Sequence, residues 1–285
     1  MMTLLIVLAT AAEAYLLGSI DTGILVSKYL YHDDVRNYGS GAAGMTNMLR
    51  TFGKKAAALT AFGDVLKGAL AVCIGRWLFG YLPAGGAVSP YLGVYLAAIL
   101  ATIGHLKPLY FGFKGGKGVL VAGGAILAIQ PILIPFLFLI FLACLLPTGM
   151  VSLGSITMAA LYPVLTLIYS YYRGLAAGDM AVCFVGALIM SILVIYMHRS
   201  NIKRIREGKE YRFGKSIRNK SQHKMKHPRR QRLQCLRGCF WVLIQGSGGF
   251  RQELVLFSGI DKIVLFGLGD NILGVEALAQ PLFEL

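Results

Sequence analysis

Lys114-Gly115-Gly116-Lys117-Gly118 interrupts the apolar stretches 91–110 and 118–130, and its reading decides how this chain folds. Glycines let successive backbone N–H groups turn toward one point, and flanking cations complete a cradle for phosphate. A second loop of the same kind precedes it, Gly39-Ser40-Gly41-Ala42-Ala43-Gly44-Met45-Thr46-Asn47, followed by Arg50. Many of the 35 glycines serve helix packing in a membrane. Two clusters that join glycine to Lys, Arg, Ser and Thr in the most polar short loops read better as phosphate sites. Set between apolar segments, they point to phosphate chemistry at a membrane surface.

The composition agrees. With 56% hydrophobic and 14% charged residues and a mean hydropathy of +0.65, this is not an ordinary soluble domain. A membrane-crossing helix needs ~20 apolar residues. Seven candidates lie at roughly 3–30, 55–80, 91–110, 118–130, 132–147, 151–172 and 179–198, the fourth and fifth short and hinged at Gln130-Pro131. Ala12-Glu13-Ala14 imitates a signal-peptide cleavage site, but no Lys or Arg precedes the apolar run, which continues through Leu30. A retained first span is expected.

Charge settles the orientation. Arg36, Arg50 and Lys54 fall in the loop 31–54, and Lys107, Lys114 and Lys117 in the loop 107–117, whereas 81–90 holds no Lys or Arg and 173–178 only Arg173. The positive-inside rule puts 31–54, 107–117 and everything from Arg199 onward on the cytoplasmic side. Only an odd number of spans satisfies all three. The expected fold is therefore an all-α polytopic membrane protein with seven transmembrane helices, N-terminus outside and C-terminus cytoplasmic.

Two regions are expected, a membrane domain over 1–214 and a basic, then mixed, extension over 215–285. Residues 199–237 carry 15 of the 28 Lys and Arg. Next to a span such a run faces anionic lipid headgroups rather than nucleic acid. Beyond it, 240–244 and 254–257 are short strand-like runs. The five cysteines form no disulfide framework. His223, His227, Cys235 and Cys239 have zinc-like spacing but sit in the basic run rather than on a folded knuckle, so no metal is expected.

Ionisable residues inside the spans are candidates for function by default. They are chiefly Glu13, Asp21, Lys28, Asp64, Lys67, Arg76 and His105. Asp64 and Lys67, three apart, share a helix face and pair; a structural lock and a catalytic role are equally open. Lys28 and Arg76 read as side chains snorkelling to the headgroups. Asp21 has no local partner, and His105 reads as a structural hydrogen-bonding residue as readily as a functional one.

Three cytoplasmic segments can converge: Asp34 through Arg50, His105 through Gly118, and His198-Arg199-Ser200-Asn201 through Glu210. They bring cations, the hydroxyls of Ser40 and Thr46, and few carboxylates, a donor-rich set that binds phosphate and stabilises developing negative charge. No nucleophile–base–acid triad stands out, and transfer from an already activated phosphorylated donor needs none. His198 and Asn201 are expected on one helical face at the end of the last span.

On these residues the chain resembles the bacterial membrane-embedded acyl-phosphate:glycerol-3-phosphate acyltransferases. The likeness covers residues 15 to about 214 through Leu17-Gly18-Ser19-Ile20, the Gly39–Arg50 loop, Asp64-x-x-Lys67-Gly68, His105–Gly118, Ser152-Leu153-x-Ser155-Ile156 and His198–Glu210. Departures are Asp21 where the family usually has Pro, Ala42 and Met45 where it has Asn and Ala, and Leu120-Val121 where it has Ala-Thr. The long tail is also unlike the family's short end.

The resemblance implies transfer of a fatty acyl group from acyl-phosphate to the 1-hydroxyl of sn-glycerol 3-phosphate, giving lysophosphatidate and phosphate, without a cofactor and in a monomer. It implies catalytic roles for Ser40, Lys117 and His198. It implies substrate contacts from Arg50, Thr46, Asn47, Asn201, Glu210, Gly39 and Gly41, and from the backbone N–H groups of Gly115 and Gly116. A transporter of phosphate or a phosphorylated lipid precursor ranks second, because transporters usually show a repeat and midplane polar sites, whereas these clusters gather at one surface.

Overall fold

A computed structural model describes residues 2–82, 89–212, 253–257 and 263–267. The chain divides into two units, Met1–Ser216 and Ile217–Leu285. Among the described residues of the first, ten α-helices follow in order: α1 Met2–Gly18, α2 Thr22–Tyr31, α3 Met45–Thr51, α4 Lys54–Phe79, α5 Pro90–Leu106, α6 Val119–Ile129, α7 Leu133–Thr148, α8 Val151–Tyr172, α9 Ala177–Met197 and α10 Arg199–Arg206. Among the described residues, five segments are long and apolar enough to cross a membrane: 2–31, α4, the stretch from α5 through Phe111, α8 and α9. Two shorter apolar helices, α6 and α7, lie among them.

The expected seven apolar segments are all present, with two corrections to the picture of seven spanning helices. The first segment is two helices rather than one. Asp21 stops the run by capping α2, its carboxylate accepting from the Ile24 N–H at 3.2 Å. The fourth and fifth segments are short, α6 with 11 residues and α7 with 16. At 1.5 Å per residue they reach only ~17 and ~24 Å. Pro131, which cannot donate a helical N–H, holds Gln130 out of helical geometry between them.

The central helices approach closely because glycines face backbone. A side chain at Gly68 of α4 would strike the Val121 carbonyl of α6, and one at Gly124 of α6 would strike the Val65 carbonyl of α4. Gly18 and Gly104 make the same exchange between α1 and α5. Without a hydrophobic drive between helices in lipid, such small-residue contacts are what dispersion and packing can use. Around them a buried cluster of Val72, Tyr95, Ala125, Leu137, Tyr162 and Met190 joins α4 to α9. A second, of Ile24, Val35, Ala43, Met48 and Ala56, underlies the first glycine loop.

Arg76, exposed on the last turn of α4, donates to the Ala128 carbonyl at 2.7 Å, closing the C-terminal end of α6. In the second unit the described residues are an antiparallel pair, β1 Glu253–Phe257 with β2 Ile263–Gly267, Val255 opposite Leu265. This strand pair departs from a helix-only fold. The run 240–244, the basic residues 215–237 and His223, His227, Cys235 and Cys239 lie outside the described residues.

Candidate active site

The first glycine loop is shaped from within by Asn47. Its amide nitrogen donates to the carbonyls of Tyr38 at 2.9 Å, Ala42 at 3.0 Å and Val35 at 3.2 Å, while its amide oxygen accepts from the Ser40 N–H at 3.3 Å. Gly39 and Gly41 take left-handed φ of 57° and 69°, and a side chain at Gly39 would run into the Asn47 amide. Asn47 therefore builds the turn that presents Ser40 and Thr46, both of which line the central cavity. Its polar atoms are spent on the loop, a correction to its expected part in holding substrate. Gly39 and Gly41 serve the same turn.

Arg36 joins this loop to the second one. Asp34 pairs with it at 2.7 Å, and its guanidinium donates to the carbonyls of Phe111 at 2.8 Å and Lys114 at 3.3 Å. Sequence reading placed Arg36 only as a topological charge, because its acceptors lie 75 and 78 positions away.

In the second loop the Gly116 N–H already donates to the His105 carbonyl at 3.2 Å. A side chain on Gly115 would strike that carbonyl, and one on Gly116 the His105 imidazole. The two glycines thus let the loop lie flat on the end of α5, and the Gly116 N–H is not available to a phosphate, which corrects its expected role. The loop instead projects Lys117. Its ammonium donates to the Asn201 side-chain oxygen at 2.5 Å. Burial pushes the Lys117 amine down to about 8, with Arg204 and Arg50 adding to the shift and Glu210 opposing it.

The third segment breaks at His198, which closes α9 and opens α10. His198 and Asn201 are therefore not on one continuous helix, yet both line the same cavity as Ser40 and Lys117. The His198 Nδ1 lies 2.8 Å from the Val194 carbonyl. A carbonyl only accepts, so Nδ1 carries the proton and Nε2 is left as an acceptor. Burial lowers the imidazole to about 4, so it is neutral at physiological pH. Partner chemistry also fixes Asn201: its oxygen faces the Lys117 donor, and its nitrogen donates to Glu210 at 2.7 Å.

Glu210 is the hub behind Asn201. It accepts from Ser152 of α8 at 2.8 Å and from Arg204 of α10 at 2.8 Å as well. Burial pushes its carboxyl up, but the bonds from Asn201, Ser152 and Arg204 outweigh it and hold the group below the usual carboxylate range. Through these bonds Glu210, which also lines the cavity, ties Asn201 to α8 and α10 and organises the wall. Arg50, on the last turn of α3, lies over the Tyr211 ring at 4.6 Å and also lines the cavity.

These groups surround one end of a cavity of about 500 Å³. From there it runs inward past Val151, Ser155, Met158 and Tyr162 of α8, with Leu137, Phe138 and Phe141 of α7 opposite. The lining from Ser152 to Tyr162 corresponds to ~15 Å along the helix. A cationic mouth thus opens onto an apolar channel.

The sequence model for glycerol-3-phosphate acyltransferase matches residues 8–208. The chain belongs to this family. A glycerol-3-phosphate acyltransferase of Clostridioides difficile (strain 630) is 39% identical over 204 residues, which are 72% of this chain and 94% of the relative. One from Syntrophomonas wolfei is 42% identical over 196 residues, 69% of this chain and 91% of the relative. Among solved structures, the glycerol 3-phosphate form of PlsY, an integral membrane glycerol 3-phosphate acyltransferase, superposes with a TM-score of 0.62 at 36% identity, over 73% of this chain and 96% of that one. Its lysophosphatidic acid form gives 0.60 at 34% identity, over 73% and 95%. The glycerol-3-phosphate acyltransferase match ends at residue 208, so Glu210 and the tail lie beyond it.

Proposed function

We infer that this chain transfers a fatty acyl group from acyl-phosphate to the 1-hydroxyl of sn-glycerol 3-phosphate. The products are lysophosphatidate and inorganic phosphate, and the place is the start of phospholipid synthesis. The observation that carries the reading is the cavity itself, in which a cluster of cations and hydroxyls meets an apolar lining. A lipid phosphate with one chain has that shape, and a solved relative is described in a lysophosphatidic acid form.

In this reading Lys117, Arg50 and Ser40 hold the glycerol phosphate, and Thr46 and Asn201 face the acyl-phosphate. The 1-hydroxyl oxygen bonds to the acyl carbon, and the carbon–oxygen bond to phosphate breaks. Its electron pair stays on the phosphate, which also takes the hydroxyl proton. The atoms balance without a protein acid. His198 Nε2, an acceptor, orients the hydroxyl, and the cations stabilise charge that grows on the leaving phosphate.

The same reading has seven membrane segments, α1 and α2 counting as one, with the N-terminus outside and the glycine loops facing the cytoplasm of a bacterial inner membrane. The donor is tested by offering purified protein acyl-phosphate or the corresponding acyl thioesters with glycerol 3-phosphate. Product from acyl-phosphate alone supports the reading; product only from a thioester defeats it.

A further inference from the structure

Beneath the second glycine loop lies a buried charged cluster that the chemistry above does not use. Asp21 caps α2, Asp64 and Lys67 come from α4, and His105 from the last turn of α5; all are 4% exposed or less. The Lys67 ammonium donates to the Ile20 carbonyl at 2.8 Å and to His105 Nδ1 at 3.0 Å, and forms an ion pair with the Asp64 carboxylate at 3.0 Å. His105 Nδ1 also lies 3.6 Å from Asp21 and 3.7 Å from Asp64.

His105 touches the cavity, but its ring is engaged on both sides. An ammonium only donates, so Nδ1 is the acceptor of the Lys67 proton. The opposite edge, with Nε2 and Cε1, fills the place where a Gly116 side chain would go. The His105 carbonyl meanwhile receives the Gly116 N–H. One residue therefore touches the charged cluster with its ring, and the residue before Lys117 with both ring and backbone. The ring is thus wedged between the Lys67 ammonium and the Gly116 backbone.

We propose that His105, anchored by a Lys67 ammonium that Asp64 pairs, is a positioning residue that fixes the Gly115–Lys117 turn and so aims the Lys117 ammonium at substrate phosphate. The proposal rests on the reading that Lys117 meets phosphate. The cluster also ties the break between α1 and α2 to α4 through the Ile20 carbonyl. The floor under the second loop and the start of the element leading to the first loop thus share one anchor. Loosening it costs phosphate affinity first, because the reacting groups themselves are untouched.

The test uses the full chain in detergent with His105→Ala, which removes ring and anchor, and His105→Asn, which keeps a polar atom for Lys67 but not the wall against Gly116. Lys117 is labelled with an amine-directed reagent, with inorganic phosphate as protectant and mass spectrometry as readout. Phosphate is expected to protect wild-type Lys117, and half-protection in His105→Ala to need about tenfold more phosphate, with His105→Asn between. In parallel, KM for glycerol 3-phosphate rises by a similar factor while kcat stays within about threefold. If His105→Ala does not insert, His105→Asn carries the comparison. Unchanged half-protection and KM in whichever variant inserts, a loss confined to kcat, or no protection of wild-type Lys117 overturns the proposal. Protection of wild-type protein that transfers no acyl group would instead count against the proposed function and leave the positioning role standing.

Discussion

The Lys117 ammonium and the Asn201 amide oxygen meet at 2.5 Å across 84 positions of sequence, joining the second glycine loop to α10. Behind Asn201, Glu210 passes the link on to Ser152 and Arg204. The cation is therefore held at the cavity mouth by a relay of hydrogen bonds, and does not wave from a loop.

Replacing Lys117 by Ala removes a charge-assisted contact to phosphate in a largely buried site. The expected loss is ~2–4 kcal/mol of transition-state stabilisation, on the order of a hundredfold or more in rate, with membrane insertion intact. Steady-state transfer by the purified variant measures it. More than about half the wild-type rate would refute the role.

The same residue sets the alkaline limit. Only the ammonium form binds phosphate, and burial brings its titration down to about 8. The form that works is fully present below that value and lost as pH rises through it, so kcat/KM should fall with a midpoint near pH 8. Lys117→Arg, which stays charged, should lose this limb whatever its absolute rate. His198, lowered to about 4, should add no limb in the usual histidine range. A profile identical for lysine and arginine at position 117 would sink the assignment.

Much of this site was legible in the sequence because glycine, lysine and hydroxyl residues crowd into short loops that nothing else explains. The apolar segments and the Asp64–Lys67 pair were legible from period and spacing. What stayed hidden depends on distant backbone. Asn47 reads as a donor for substrate until the loop folds its carbonyls around it, and Gly116 reads as a phosphate cradle until the His105 carbonyl arrives. The break in the first apolar segment did carry a local signal, since an Asp before an apolar run is a helix cap. Hydropathy alone ran across it.

Glu210 separates support from contact. Glu210→Ala leaves Ser152, Asn201 and Arg204 without their acceptor, and should cost on the order of 3 kcal/mol, the low end for a broken buried pair because Arg204 keeps access to water. A lower melting temperature in detergent should accompany the fall in activity. Lost activity at unchanged melting would return Glu210 to a direct role with substrate.

The segment after Gly214 should be dispensable for catalysis. Among the described residues, every one that lines the cavity precedes it, and 215–237 has the charge of a headgroup-binding arm, worth ~1 kcal/mol per basic residue near an anionic surface. A chain ending at Gly214 should keep its transfer rate in micelles and lose only salt-sensitive attraction to anionic bilayers. An inserted but inactive truncation would make the tail part of the enzyme.

The most direct test of the account is the stoichiometry of one reaction. Purified protein is given acyl-phosphate with and without glycerol 3-phosphate, and lysophosphatidate and phosphate are counted together. The account predicts one lysophosphatidate for each phosphate released, and no release above the spontaneous rate when glycerol 3-phosphate is left out. Phosphate released equally without the acceptor, or with no lysophosphatidate formed, would contradict it.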